Sequence, residues 1–558
     1  MGVRSAILKI ISEINSTDDN IYVYGPLIHN PQTIEVLSSR GLRTIESINK
    51  TKGRTVAVRT HGITKNENRF LKKNAARVIN LTCRRVASVQ SLIKKYSSLG
   101  AFTLIVGDEN HAEVTGLISY AENGYYLISD IKDIPGIPEA ESYIIVSQTT
   151  FDRNLFNQIV KALPFPERTQ VFDTICDSTQ RRQKDVISGI DSGINTLVVV
   201  GGKNSANTAR LAAIGVDHKI KTFHIETEDE LIEEDFKPDD NVLVTAGAST
   251  PGWIINNVLE KLYNIRYNKG SRTLNILKRF LEFSVRTNLI SAVGSFFLSV
   301  LSQQIIFSKI DYSLAFICFM YIFAMYSVNN FFERDILKKS NSYKYSLYSR
   351  FGVPFLVLSV LFFFISLHIT GIHNPVFYLV SALYIIGFLY STPPVKNSVK
   401  AVKNSFINRL YASKSVTGIG WTLIITAVPI AAHGEADLSA AAVATAVFAL
   451  AFTRQLMLDR IALQSDLIMG RETIPIWIGI KKTAVLTGAL FIAASSVLII
   501  YSIYSSDFTP AIFIAALLYY LLADFLISRQ NYVISLKYEL LVDLNFVITA
   551  VLLFVFVI

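Results

Sequence analysis

Apolar and polar positions change character along the chain. Up to about Tyr263, short apolar runs alternate with helical stretches of mixed charge; from Leu289 to Ile558 the chain is mostly apolar, with short charged breaks. In the first part Thr55–Val58, Val78–Leu81, Leu104–Val106, Tyr143–Val146, Leu197–Val200 and Val242–Val244 read as buried strands. Each runs into a polar or glycine-bearing turn: Arg59–Gly62, Thr82–Cys83, Gly107–Asp108, Ser147–Thr149, Gly201–Lys203 and Ala246–Gly247. Strand, polar turn and helix in repetition predict an α/β module with parallel sheets, whose ligands bind at the carboxyl ends of the strands. The second part holds about nine segments near the length a bilayer-crossing helix needs. They are Leu289–Phe307, Tyr312–Phe331, Val353–Thr370, Val376–Tyr390, Val416–Ala432, Leu438–Leu458, Thr483–Tyr501, Thr509–Ser528 and Glu539–Ile558. The pattern predicts an α/β module over 1–265, a basic linker over 266–286, and an all-α polytopic membrane domain over 287–558.

Composition sharpens this division. The 558 residues exceed one ordinary domain, and the mean hydropathy of +0.37 is high for a water-soluble chain. The net charge of +10 does not point to nucleic acid, because much of it sits in loops between apolar segments. Arg334, Lys338, Lys339, Lys344 and Arg350, then Lys396, Lys400, Lys403 and Arg409, then Arg454, Arg460, Arg471, Lys481 and Lys482 fall on one set of loops, and only Lys309 on the other. Basic loops stay on the cytoplasmic side. The expected location is therefore a multi-pass inner or plasma membrane, with the N-terminal module cytoplasmic, the C-terminus outside, and the basic linker against anionic headgroups. Three cysteines make no disulfide framework.

The candidate chemistry lies where these patterns place it. In the α/β part His29, His61 and His111 fall at strand ends or nearby turns, with Thr149, Ser205, Asn207 and Ser249 in similar turns. Histidines, hydroxyls and turn amides together suit a small anion such as a diphosphate. Cys83 and Cys176, from separate elements, suit a metal or an iron–sulfur cluster; taken singly, such a cysteine is more often a small core residue. In the apolar part Asn329, Asn330, Glu333 and Asp335 close the second segment, and Arg454, Asp459 and Asp466 follow the sixth. Oxygen donors on one membrane face suit Mg²⁺ shared with substrate phosphates, and Lys396 and Arg454 add cations for those phosphates. Ordinary solvated loop charges are the plainer reading.

Two resemblances organise these residues. Tyr24–Pro31, Arg59–Gly62, Thr82–Cys83, His111–Gly116, Gln148–Thr150, Asp173–Cys176, Gly201–Asn207 and Thr245–Pro251, in that order, resemble 4-hydroxy-3-methylbut-2-enyl diphosphate reductase, the IspH or LytB family. The resemblance implies three α/β lobes around a central [4Fe–4S] cluster and reductive dehydroxylation to isopentenyl and dimethylallyl diphosphate. It implies that His29, His61, His111, Thr149, Ser205, Asn207 and Ser249 hold the substrate, that Glu113 and Thr149 are catalytic with Glu113 delivering protons, that Cys83 and Cys176 ligate the cluster, and that a ferredoxin or flavodoxin supplies electrons. Ala206 stands where that family often has a second serine. The apolar part resembles the UbiA prenyltransferase family through Tyr390–Lys396, Asn329–Glu333 and the run Arg454, Asp459, Asp466, Gly470, Thr473, Ile474, Pro475, Gly479. That resemblance implies Mg²⁺, prenyl diphosphate substrates and lipid surroundings. Asn330, Glu333 and Ala462 replace aspartates of its two motifs.

The reductase family uses three cysteines, and Cys318 lies within a membrane segment. The third would fall immediately before Met1, so the natural protein is expected to begin several residues earlier with a strand ending in cysteine; a stop codon upstream of Met1 before any Cys codon would sink that expectation. Three functions remain open at this point: a bifunctional reductase and prenyltransferase, a reductase anchored by a degenerate membrane domain, or a cluster-less binder of diphosphates or lipids.

Overall fold

The computed structural model describes residues 2–17, 19–28, 30–237, 239–268, 272–334, 337–338, 341–392, 416–434, 437–469, 471, 473–528 and 535–557. His29, Asp335 and Lys396 lie outside the described residues. The chain divides into two compact units, Met1–Leu262 and Tyr263–Ile558.

The first unit has three parallel sheets. Strands β1 (Ile21–Tyr24), β2 (Leu42–Ile45), β3 (Thr55–Val58) and β4 (Arg77–Asn80) form one in the order β2-β1-β3-β4. Strands β5 (Phe102–Val106), β6 (Tyr125–Ile128), β7 (Tyr143–Ser147) and β8 (Thr169–Val171) form the second in the order β6-β5-β7-β8. The third is β10-β9-β11, from β9 (Thr196–Val200), β10 (Lys221–Ile225) and β11 (Val242–Ala246). All pairings are parallel, so the return helices cover the faces and the central strands β7 and β9 are buried at every position. Side-by-side parallel strands put the turns after β3, β5, β7, β9 and β11 at the carboxyl edges, where the polar residues lie.

The second unit is helical. Among the described residues seven helices are long and apolar enough to cross a membrane, and Pro375–Ser391 and Ala511–Ile527 are shorter apolar helices. Each of the nine expected segments thus coincides with a helix, two of them below full spanning length. On Ser342–Thr370 the exposed side chains include Val353, Val357, Leu361 and Phe364, an apolar face suited to lipid. Val416–His433 widens to a π turn over Leu423–Ala427. Pro429 has no N–H to give the Ile425 carbonyl, and the Cys318 thiol donates to Ile424 O at 3.3 Å. Residues 266–286, expected as a linker, contain the helix Arg272–Arg286, which packs on Leu289–Phe307 and Ser535–Phe556.

Candidate functional site

The α/β site is held together by backbone bonds between turns. Cys83 N donates to Thr60 O at 2.9 Å and Cys176 N donates to Thr149 O at 2.8 Å. Each cysteine turn is thereby joined to a turn bearing a candidate ligand: His61 on one side, Thr149 on the other. Both cysteines are N-caps, of Arg84–Ser97 and Asp177–Asp191. Arg85, two residues after Cys83, reaches Asp177 at 2.9 Å and Ile175 O at 3.4 Å, so the two cysteine turns are neighbours. Half burial raises the Cys176 thiol pKa, but hydrogen bonds from the Ser178 hydroxyl and from the Ser178 and Thr179 amides outweigh it, and the net shift is downward.

Glu113 is 1% exposed. Its Oε1 accepts from Thr149 N at 2.7 Å and its Oε2 pairs with the Thr149 hydroxyl at 2.9 Å. Burial dominates over these bonds and pushes its pKa from 4.5 to about 7, with Asp108 adding in the same direction. His111 caps the same helix: its Nδ1 accepts from Glu113 N at 3.1 Å, which puts the ring proton of the neutral form on Nε2. His61 stands edge-on to His111, ring centroids 5.8 Å apart. Gly62, at φ +78°, lets the His61 turn close against Gln90: a Cβ there would lie 2.6 Å from Gln90 Nε2.

In the third lobe the turn backbones crowd Thr208. A Cβ on Gly247 would lie 2.6 Å from Thr208 Oγ1 and one on Gly201 3.1 Å from it. Asn207 is 7% exposed, and neither its Nδ2 nor its Oδ1 has a hydrogen-bond partner among the described residues; the same holds for Thr208 Oγ1. A buried amide with both ends unmet is costly, so this turn has hydrogen-bonding capacity to offer a polar group. Ser205 caps the same helix without bonding its backbone, and Ser249 lies in the turn after β11, whose Gly247 N donates to Val200 O at 2.9 Å. The Arg210–Asp108 pair, at 2.5 Å, ties this helix to the His111 turn. Glu113, Thr149, His111, His61, Cys83 and Cys176 are thus linked through one chain of contacts. Thr208 and Gln90 had no signal in the sequence beyond their neighbours.

In the helical unit Glu333, Asp459 and Asp466 are buried. Arg471 joins two of them: Nη2 lies 2.8 Å from Glu333 Oε2 and Nη1 3.5 Å from Asp466 Oδ1. Asp459 Oδ1 accepts from Gln455 at 2.7 Å. Asn329 and Asn330 are buried beside Glu333 in sequence, and Asn330 Nδ2 donates to the Tyr348 hydroxyl at 3.0 Å. Arg454, expected to bind phosphate, is instead committed inside the bundle. It donates to Asp543 at 2.8 Å, Tyr326 at 3.0 Å and Ser291 at 2.7 Å, and a fully buried guanidinium needs these partners. Arg471, read in the sequence only as a loop charge, takes the place beside the acids.

Carboxyl-edge turns of three parallel sheets carry two thiols, a buried acid and an unmet amide, the makings of one α/β candidate site. Residues 1–263 match the family model of the LytB protein, and the chain belongs to the LytB family. The 4-hydroxy-3-methylbut-2-enyl diphosphate reductase of Caldanaerobacter subterraneus subsp. tengcongensis is 35% identical over 270 residues, 48% of this chain and 93% of its own length. Among solved structures, the E-1-hydroxy-2-methyl-but-2-enyl-4-diphosphate reductase from Plasmodium falciparum is 22% identical with a TM-score of 0.44, covering 48% of this chain and 86% of its own. A UbiA homolog from Archaeoglobus fulgidus, solved bound to GPP and Mg²⁺, is 16% identical with a TM-score of 0.34, covering 48% of this chain and 98% of its own.

Proposed function

We propose that the α/β unit is a 4-hydroxy-3-methylbut-2-enyl diphosphate reductase and that the helical unit is a membrane prenyltransferase. The observation that carries the first half is Glu113: a buried carboxyl, protonated near neutrality and held by Thr149, within the contacts that join Cys83 and Cys176. The reaction breaks one C–O bond, takes up two electrons and two protons, and releases water. Cys83 and Cys176 are thiolate donors of the kind an iron–sulfur cluster takes and would hold it; when bound, it supplies the electrons, which a ferredoxin or flavodoxin replenishes. This chain's residues do the rest. Asn207, Ser205 and Ser249 bind the diphosphate with His29, His61 and His111. Thr149 orients the substrate hydroxyl, and Glu113 gives the proton that converts it to water. Replacing Glu113 by Gln should lower dithionite-driven turnover roughly 100-fold or more while leaving the cluster EPR signal of anaerobically reconstituted protein in place. Full turnover in that variant would remove the proton-donor assignment.

The helical unit's reading rests on the buried oxygen donors Glu333, Asp459 and Asp466, with the buried amides Asn329 and Asn330 beside Glu333 in sequence; Asp335, as a further oxygen donor, and Lys396, as a cation for phosphate, remain candidates from the sequence. Carboxylates and amide oxygens suit a hard divalent ion that bridges to a diphosphate; in that role Mg²⁺ supplies positive charge for the leaving group. The loop charges favour a cytoplasmic face for this site and for the α/β unit. Replacing Asp459 and Asp466 together by Ala should abolish prenyl transfer and spare reduction. Prenyl transfer unaffected by that change would remove the Mg²⁺ assignment. The Asn330–Tyr348 bond favours a second reading, an anchored reductase with a degenerate membrane domain, which absence of prenyl transfer from the unaltered chain would select.

A further inference from the structure

The helix Arg272–Arg286 precedes Leu289–Phe307 in the chain, and one side of it is apolar and exposed. Ile276 is 62% exposed, Leu277 55%, Phe280 58% and Phe283 39%. Positions i, i+1, i+4 and i+7 share one helix face. Ser284 and Val285 are buried, and the helix packs on Leu289–Phe307 and Ser535–Phe556. A contiguous apolar patch marks a surface that meets a partner or a membrane. Here its surroundings point to lipid. Phe283 touches Phe355, ring centroids 6.3 Å apart, and Phe355 belongs to Ser342–Thr370, on which Val353, Val357 and Leu361 are exposed. The patch therefore continues into the apolar face suited to lipid. Fifteen residues fall short of the ~20 that span a bilayer, and Asn288, at φ 58°, breaks the helix before Leu289–Phe307, so this is not the start of a longer span. The charges are turned to the protein: Lys278 pairs with Glu282 at 3.3 Å and donates to Asn264 Oδ1 at 3.1 Å. Arg286 is buried, with its guanidinium 4.8 Å from the centre of the Tyr343 ring.

We propose that Arg272–Arg286 is an in-plane membrane helix, whose face of Ile276, Leu277, Phe280 and Phe283 sinks into the boundary between headgroups and acyl chains. The inference rests on the helical unit's place in a bilayer and is independent of its catalytic activity. A helix with one apolar and one polar face lies in the plane of the interface, and the apolar area it buries sets how firmly it stays there. Lys278, Glu282 and Arg286 are engaged within the protein, so anionic headgroups add little to its hold. The stretch whose basic residues suggest attachment through headgroup charge is held instead by its apolar side.

The test reads lipid contact on the unaltered full-length chain. The protein is placed in nanodiscs of phosphatidylcholine whose acyl chain carries a diazirine, the discs are irradiated, and mass spectrometry of the digested protein locates the lipid adducts. Discs of plain phosphatidylcholine give the background. Adducts on Ile276, Leu277, Phe280 and Phe283 are expected within roughly threefold of those on Val357 and Leu361. They should be unchanged by about 1 M NaCl, which screens surface charge, and by adding phosphatidylglycerol to the discs. Adducts on Val357 and Leu361 without adducts on the Arg272–Arg286 face overturn the proposal. Adducts on that face that need phosphatidylglycerol and vanish in salt overturn it too, in favour of attachment through charge. Background labelling at all six positions overturns the membrane placement of the helical unit itself, and the inference with it.

Discussion

Glu113 shows how one side chain's surroundings set its chemistry. The sequence marks it by its place in the segment after His111, but its acidity comes from burial and from Thr149, 36 residues away, which no local pattern reveals. The consequence is measurable in stability. Its folded pKa of about 7 lies above its ordinary 4.5, so between those values the folded protein holds a proton that the unfolded chain releases. The stabilisation this gives is full below about pH 4.5 and is lost as pH rises through 7. The gap corresponds to about 3 kcal/mol at most. Chemical denaturation of the unaltered protein and of Glu113→Gln should therefore show the unaltered protein losing stability relative to the variant between pH 5 and pH 8; parallel curves would contradict the assignment of a proton to Glu113. Arg471 was equally visible as a letter and equally opaque as a partner, because its role depends on Glu333, 138 positions earlier.

At the scale of elements, legibility follows burial. The strands read from the sequence, β3, β4, β5, β7, β9 and β11, include the central members with continuous apolar runs. The strands that escaped, β2, β6, β8 and β10, are all at sheet edges, and their solvent-facing positions break the run: β2 alternates as buried, exposed, exposed, buried, and β8 has no buried residue. Only β1, four residues long between two neighbours, was an interior strand without a sufficient signal. The carboxyl-edge turns were legible because parallel strands fix where they go; what they do to one another was not. The pairing of the Cys83 turn with Thr60, and of the Cys176 turn with Thr149, arises from tertiary register. The membrane helices were the most legible elements, since an apolar run of bilayer length has few other uses.

At the scale of the molecule, two units on one chain carry the proposed source of five-carbon prenyl diphosphates and a proposed consumer of them. The helical unit closes on a buried clasp. Arg454, Asp543, Ser291 and Tyr326 come from four helices, and the Arg454 and Asp543 side chains are 3% and 2% exposed. Breaking a buried pair from one side strands a charge and costs about 3–5 kcal/mol, whereas apolar replacement of both partners costs far less. Asp543→Leu should thus lower the thermal stability of the detergent-solubilised protein sharply, and Arg454→Met with Asp543→Leu should restore most of it. Equal losses in the single and double variants would show that Arg454 does not depend on Asp543.

The same clasp bears on how the protein is made. Ser291 and Asp543 are separated by 252 positions, in the helices Leu289–Phe307 and Ser535–Phe556. Until the ribosome has delivered the helix Ser535–Phe556, Arg454 is without the Asp543 carboxylate, its partner in the finished bundle.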